Sequence, residues 1–199
     1  MKRRMGPENS ASRTALMDAV EALMRERGYA ALTARAVAAR AGLKYQLVFY
    51  YFETMDDLLL ATYRRNAEVM WDRVQAALDA ARPLHAFWKV WSDPFDGAVS
   101  LEYMAMSNHN PAIRAEKVAF GERVRKLVGE KLTLPLAKAT PEPAVFTPFA
   151  ISMLLASIGS ILAFEDTLGI TGGHSETRVL LDWCLSYLEP ETAEAAPAV

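Results

Sequence analysis

Apolar residues recur at three- and four-residue spacing along most of this 199-residue chain, with no convincing one-by-one alternation anywhere. That spacing buries one side of a helix, whereas a half-buried strand needs period two. The pattern restricts the chain to an all-α fold of about nine helices. Leu16, Val20, Leu23 and Met24 form the first stripe, and Gly28 stops it. Thr33 suits the N-cap of a short second helix ending near Ala41, and a third covers 44–50. Thr54 opens a fourth, where Asp56 and Asp57 favour the helix dipole; it extends to about Ala81, long enough for a strut between two domains. Further helices are expected at 83–91, at 96–107, and from Asn110-Pro111 to about Lys131. The stretch TLPLAKATPEP reads as a loop, and a last helix occupies 175–188.

The length allows one or two domains. A net charge of −2 argues against nucleic acid, but the charge is unevenly spread. Residues 1–65 hold 11 Lys and Arg against 7 Asp and Glu, and the remainder holds 11 against 17. This suggests a basic binding module on an acidic body. Expected boundaries are a flexible basic arm over 1–11, a basic binding module over 12–53, a helical body over 54–189 and a disordered tail over 190–199. Lys2, Arg3 and Arg4 lack the apolar run of a signal peptide. The single cysteine, Cys184, excludes an intramolecular disulfide and fits a cytoplasmic location.

Residues 144–164 contain no charge, enough by length for a membrane span. Pro148, Gly159, the four hydroxyl side chains and the absence of a basic flank instead favour a fully buried core helix, with no membrane partner.

The decisive stretch is ARAVAARAGLKYQLVFYYFETMDDLLLA, residues 34–61. Ala34, Ala36, Ala38, Ala39 and Ala41 allow close helix packing, Gly42 supplies a turn, and a third helix starts with Lys44-Tyr45-Gln46. This is a helix-turn-helix pattern, with polar side chains placed to reach base edges from a helix N-terminus. Gln suits a bidentate contact with adenine and Lys one with guanine. The motifs Gly28-Tyr29, Leu32-Thr33-Ala34-Arg35-Ala36-Val37-Ala38, Ala41-Gly42-Leu43, Val48-Phe49-Tyr50-Tyr51-Phe52 and Asp57-Leu58-Leu59 resemble, without gaps over about residues 12–62, the signature of TetR-type transcriptional regulators.

That resemblance implies an N-terminal three-helix DNA-binding domain joined by a long helix to a helical ligand-binding and dimerisation domain. It implies phosphate contacts from Thr33 and Arg35, and major-groove placement of Lys44, Tyr45, Gln46 and Leu47. Phe49, Tyr50 and Thr54 complete the DNA-contacting set, although the Phe49 ring has no hydroxyl for a phosphate. Met55 stands where the family usually has Lys, and Gln46 where it has a small residue; the latter implies a distinct operator.

In the body, aromatic and Met residues crowd the middle helices, an effector cavity in chemical character. The resemblance likewise implies a cavity for a lipophilic small molecule. Its candidate lining is Trp71, Trp88, Trp91, Phe95, Tyr103, Met106 and Phe120, with Phe149 and Met153 from the uncharged helix and Glu102 and His109 as polar groups. The last two helices carry more apolar surface than one small core needs, which a symmetric homodimer through a four-helix bundle would absorb. The candidate interface is Ile151, Leu155, Ala156, Ile158, Gly159 and Leu162, with Val179, Leu180, Trp183, Cys184 and Tyr187. His85, His109 and His174 lack metal-ligand spacing, and no phosphate loop, nucleophile elbow or HExxH occurs. The expectation is therefore no enzyme, no metal and no cofactor: a DNA-binding, ligand-relieved repressor acting as a homodimer on a pseudo-palindromic operator. The alternatives are a helical small-molecule-binding protein or enzyme, or a membrane-associated helical protein.

Overall fold

The computed structural model describes residues 10–140, 142 and 144–190, without the side chains of residues 94–96, 98 and 134. The expected basic arm with Lys2, Arg3 and Arg4, the tail beyond residue 190 and the Phe95 side chain lie outside the described part. Every regular element described is helical: α1 Ala11–Arg27, a 3₁₀ turn Tyr29–Ala31, α2 Ala34–Arg40, α3 Gln46–Tyr51, α4 Met55–Leu78, α5 Pro83–Trp91, α6 Pro94–Ser107, α7 Pro111–Ala139, α8 Pro148–Leu168 and α9 His174–Leu188.

Packing divides the chain into two compact units. Among the described residues, the first holds those from residue 10 as far as Met70 together with Ala98–Phe120, and the second Trp71–Gly97 with those from Gly121 to residue 190. This departs from the expected division at residue 53. Leu58, Leu59 and Tyr63 of α4, Val99, Tyr103 and Met106 of α6, and Ile113 of α7 share one hydrophobic core with Leu16, Val20, Val37 and Val48. The three-helix module is too small to bury its apolar faces alone, and these later segments complete it.

In the first unit, Arg65 of α4 reaches both Asp18, at 2.7 Å, and Glu21 on α1. Tyr63 and Tyr103 stack edge to face, their centroids 5.0 Å apart. In the second unit α8 lies close along α5. A Cβ on Gly159 would stand 2.8 Å from the backbone carbonyl carbon of Trp91, so glycine permits this approach. The Glu189 carboxylate accepts from the backbone amides of Leu84 and His85 at the start of α5, at 2.7 and 3.1 Å. At the α8–α9 turn, buried His174 has Glu165 2.8 Å from one ring nitrogen and Asp166 3.0 Å from the other.

Two element expectations fail. α7 does not stop near Lys131; it continues through Pro135 to Ala139. Buried Leu132 and Leu136, one turn apart, hold this last stretch on the core despite the hydrogen bond that Pro135 cannot donate. Nor is α8 buried on all sides. It is long and apolar enough to span a membrane, yet only 28% of its most apolar window is buried. Ser152, Leu155, Gly159, Leu162 and Ala163 face inward, while Met153, Leu154 and Ile161 are each more than half exposed.

Candidate nucleic-acid interface

The helix-turn-helix is built from local backbone chemistry. α1 ends at Gly28, whose φ of 72° is a left-handed value suited to glycine, and the Gly28 amide closes on the Met24 carbonyl at 2.9 Å. Thr33 Oγ1 then accepts from the Ala36 amide at 3.1 Å and caps α2. Gly42, at φ 68°, makes the turn after α2, and the Leu43 amide bonds back to the Ala38 carbonyl at 2.8 Å. α3 begins at Gln46, two residues later than expected, because Lys44 and Tyr45 form a tighter turn that bonds the Leu47 amide to the Lys44 carbonyl at 2.9 Å.

Thr33, Arg35, Lys44, Tyr45, Gln46 and Tyr50 are all solvent-exposed. The Arg35 guanidinium lies 5.8 Å from the centre of the Tyr45 ring, bringing the start of α2 beside the turn before α3. Tyr50 stacks edge to face on Tyr51 at 5.0 Å, and the buried Tyr51 hydroxyl accepts from Ser10 Oγ at 2.8 Å. The Thr33 hydroxyl proton remains free to donate while its oxygen caps α2.

Other expected contacts fall elsewhere. Leu47 is half-buried and packs on the core rather than standing clear of it. Phe49 is also half-buried. The Thr54 hydroxyl donates to Asp57 Oδ2 at 2.8 Å and accepts the Asp57 amide at 3.0 Å, so its hydrogen bonds are engaged in capping α4. Arg40, a cation on the same face of sequence, is held by Glu26 through two bonds of 2.5 and 3.2 Å.

Residues 16–62 match the family model of bacterial regulatory proteins of the tetR family. The helix-turn-helix unit of this chain is thus of the TetR type. A DNA-binding role for this unit follows from that match. Solved TetR-type folds agree over nearly the full length. A transcriptional regulator from Saccharomonospora viridis in complex with choline is similar at TM-score 0.71 and 21% identity, over 86% of this chain and 94% of that one. FadR from Bacillus halodurans, a fatty acid degradation regulator, is similar at TM-score 0.66 and 14% identity, over 94% and 99%. A TetR transcription regulator from Haloarcula marismortui gives 0.59 and 21%, over 89% and 90%. At these identities the likeness is one of fold. No curated protein matches the sequence.

The residues expected to line an effector cavity separate between the two units. Glu102, Tyr103, Met106, His109 and Phe120 belong to the first, and Trp71, Trp88, Trp91, Phe149 and Met153 to the second. Tyr103 and Met106 are buried in the core under the helix-turn-helix, and Glu102 bonds to the Tyr29 amide at 3.0 Å. His109 is exposed, as are Phe149 and Met153 on α8. Trp88 is buried, Trp91 and Phe120 are half-buried, and Trp71 lies under the Arg123 guanidinium at 3.7 Å. Sequence reading missed Lys117, partly buried 5.7 Å from the centre of the Tyr63 ring, with burial drawing its ammonium below the usual lysine range.

The expected dimer residues also divide. Leu155, Gly159 and Leu162 are buried within the chain, and Ile151, Ala156, Ile158 and Cys184 are half-buried. Val179, Leu180, Trp183 and Tyr187 of α9 are at least 60% exposed, and the shallow depression along that helix is lined by Ser175, Glu176, Val179, Leu180 and Trp183. Leu154 and Ile161, absent from the expected set, add to the open apolar surface on α8. α8 is apolar on all sides in the sequence, and only the packing partner decides which side faces outward.

Proposed function

We propose that this chain is a cytoplasmic repressor that binds a pseudo-palindromic operator as a homodimer and releases it when a lipophilic small molecule binds the helical body. The observation that carries this reading is the exposed cluster of Arg35, Lys44, Tyr45 and Gln46 around one turn. Thr33 and Arg35 hold phosphates, and Lys44, Tyr45 and Gln46 read the major groove. Two such modules reach successive grooves when their half-sites lie about one helical turn apart or somewhat more. The open apolar faces of α8 and α9 supply the two-fold contact, which accounts for a large exposed patch on a soluble regulator.

The effector acts by preferring one of two arrangements of the dimer. A swing from 1:99 to 99:1 needs a preference of about 5.5 kcal/mol, and burial of a large apolar ligand supplies much of it. α4 contributes residues to both compact units and is the natural lever. The choline bound to the Saccharomonospora viridis relative supports a small organic effector for this fold.

The test is footprinting and gel shift on DNA flanking the chain's own gene, repeated with lipophilic compounds. Protection of two symmetric half-sites, lost on adding an effector, is expected. Protection of a single unpaired half-site would overturn the dimer reading, and no protection at all the operator reading.

A further inference from the structure

The turn that delivers α2 is held by a helix distant in sequence. After Gly28 the chain makes its 3₁₀ turn, and the first amide of that turn, Tyr29 N–H, has no partner within the turn itself. Glu102 of α6 fills that place, its Oε2 accepting from Tyr29 N at 3.0 Å. The other carboxylate oxygen sits above Gly28, where a Cβ would come within 2.9 Å of it. Gly28 thus serves twice, taking φ 72° and leaving room for the carboxylate. α6 is anchored around Glu102 by Val99, Tyr103 and Met106, all buried in the same core as α1 and α2. Three residues separate Tyr29 from the capping Thr33, and Arg35 lies two positions further on. Few backbone torsions therefore lie between the carboxylate and the groups offered to DNA.

We propose that Glu102 is a positioning residue for operator binding: through the Tyr29 amide it sets the 3₁₀ turn and with it the N-terminus of α2. This rests on the operator reading above. A bond to a charged acceptor is stronger than one between neutral groups, and no other carboxylate among the described residues is bonded to this turn. α6 is then part of the DNA-binding machinery rather than of the effector body, which the sequence position of Glu102 conceals.

The experiment compares wild type, Glu102→Ala and Glu102→Gln as full chains. It measures amide exchange at Tyr29, thermal melting, and DNA affinity against salt. In Glu102→Ala, Tyr29 should exchange faster while the melt stays that of a folded protein. Operator affinity should fall about tenfold, and the log–log salt slope should shrink by about 0.9, one phosphate contact. Glu102→Gln keeps a carbonyl acceptor and should recover most of the affinity and the slope. A merely structural role would lower the melting temperature without changing the slope. Unchanged Tyr29 exchange, affinity within twofold of wild type, or an unchanged slope in Glu102→Ala would each overturn the proposal while leaving the operator reading intact. A wild type that binds no duplex DNA would sink both.

Discussion

Two phenols inside the first unit limit how alkaline a solution the fold tolerates. Burial, with the nearby Glu116 charge, pushes Tyr63 up to about 12, and burial, with the Glu21 charge, pushes Tyr103 higher still. In the unfolded chain both ionise near pH 10. Above that pH the unfolded chain releases protons the folded one retains, so stability present below about pH 10 is lost between about 10 and 12. Alkaline unfolding followed by phenolate absorbance should show this loss, and Tyr63→Phe should reduce it; a variant with the wild-type alkaline midpoint would refute it. Tyr103→Phe also removes a buried hydroxyl that has no partner among the described residues, so at neutral pH it should leave stability unchanged or raised. On the DNA face, Gln46→Ala should cost about 1–3 kcal/mol on the operator and relax choice at one base pair, whereas Arg35→Ala should weaken all duplexes alike. Equal behaviour of the two on specific and random DNA would remove that division of roles. The Thr33 cap and the turn that exposes Lys44, Tyr45 and Gln46 were legible in the sequence because capping and turn chemistry are local. The bond from Glu102 was not, since it depends on what the amide of Tyr29 reaches in the folded chain.

At the scale of elements, the sequence is a good guide wherever start and stop signals act without a distant partner. Thr33, Gly28 and Asn110-Pro111 mark their helix ends as expected. Pro135 misleads because its local cost is real but tertiary burial of Leu132 and Leu136 outweighs it. Pro135→Ala should therefore restore a bond to the Lys131 carbonyl, relieve the ring's clash there and stabilise the chain by about 1–3 kcal/mol in urea unfolding. A loss of stability would mean that α7 needs its bend. The all-apolar pattern of α8 has the converse difficulty: it tells that the helix avoids water but not what covers each face. Gly159 marks the covered face. Gly159→Ala would press a methyl group into the Trp91 and Ser92 backbone, both within 3.0 Å of the new atom. The expected cost is about 1–3 kcal/mol, read from the same unfolding curve. A neutral result would show that α5 and α8 separate easily.

For the whole molecule the open question of burial is the face that α8 and α9 leave exposed. A lone chain presents Val179, Leu180, Trp183 and Tyr187 to water together with Leu154 and Ile161. In the proposed homodimer a second copy would cover this surface and also supply the second recognition helix that a palindrome requires. Trp183→Glu and Ile161→Glu place charges on this face without touching the helix-turn-helix. Each should convert a dimer to a monomer in sedimentation, since an unpaired charge at a desolvated apolar contact is costly. The DNA consequence follows from counting contacts. A monomer engages one half-site and neutralises about half as many phosphates, so the log–log salt slope should also halve. Contacts at the surviving half-site should remain in the same register. A Trp183→Glu protein that sediments as a dimer, or keeps the full slope on a palindromic site, would place the two-fold interface on another surface of the chain.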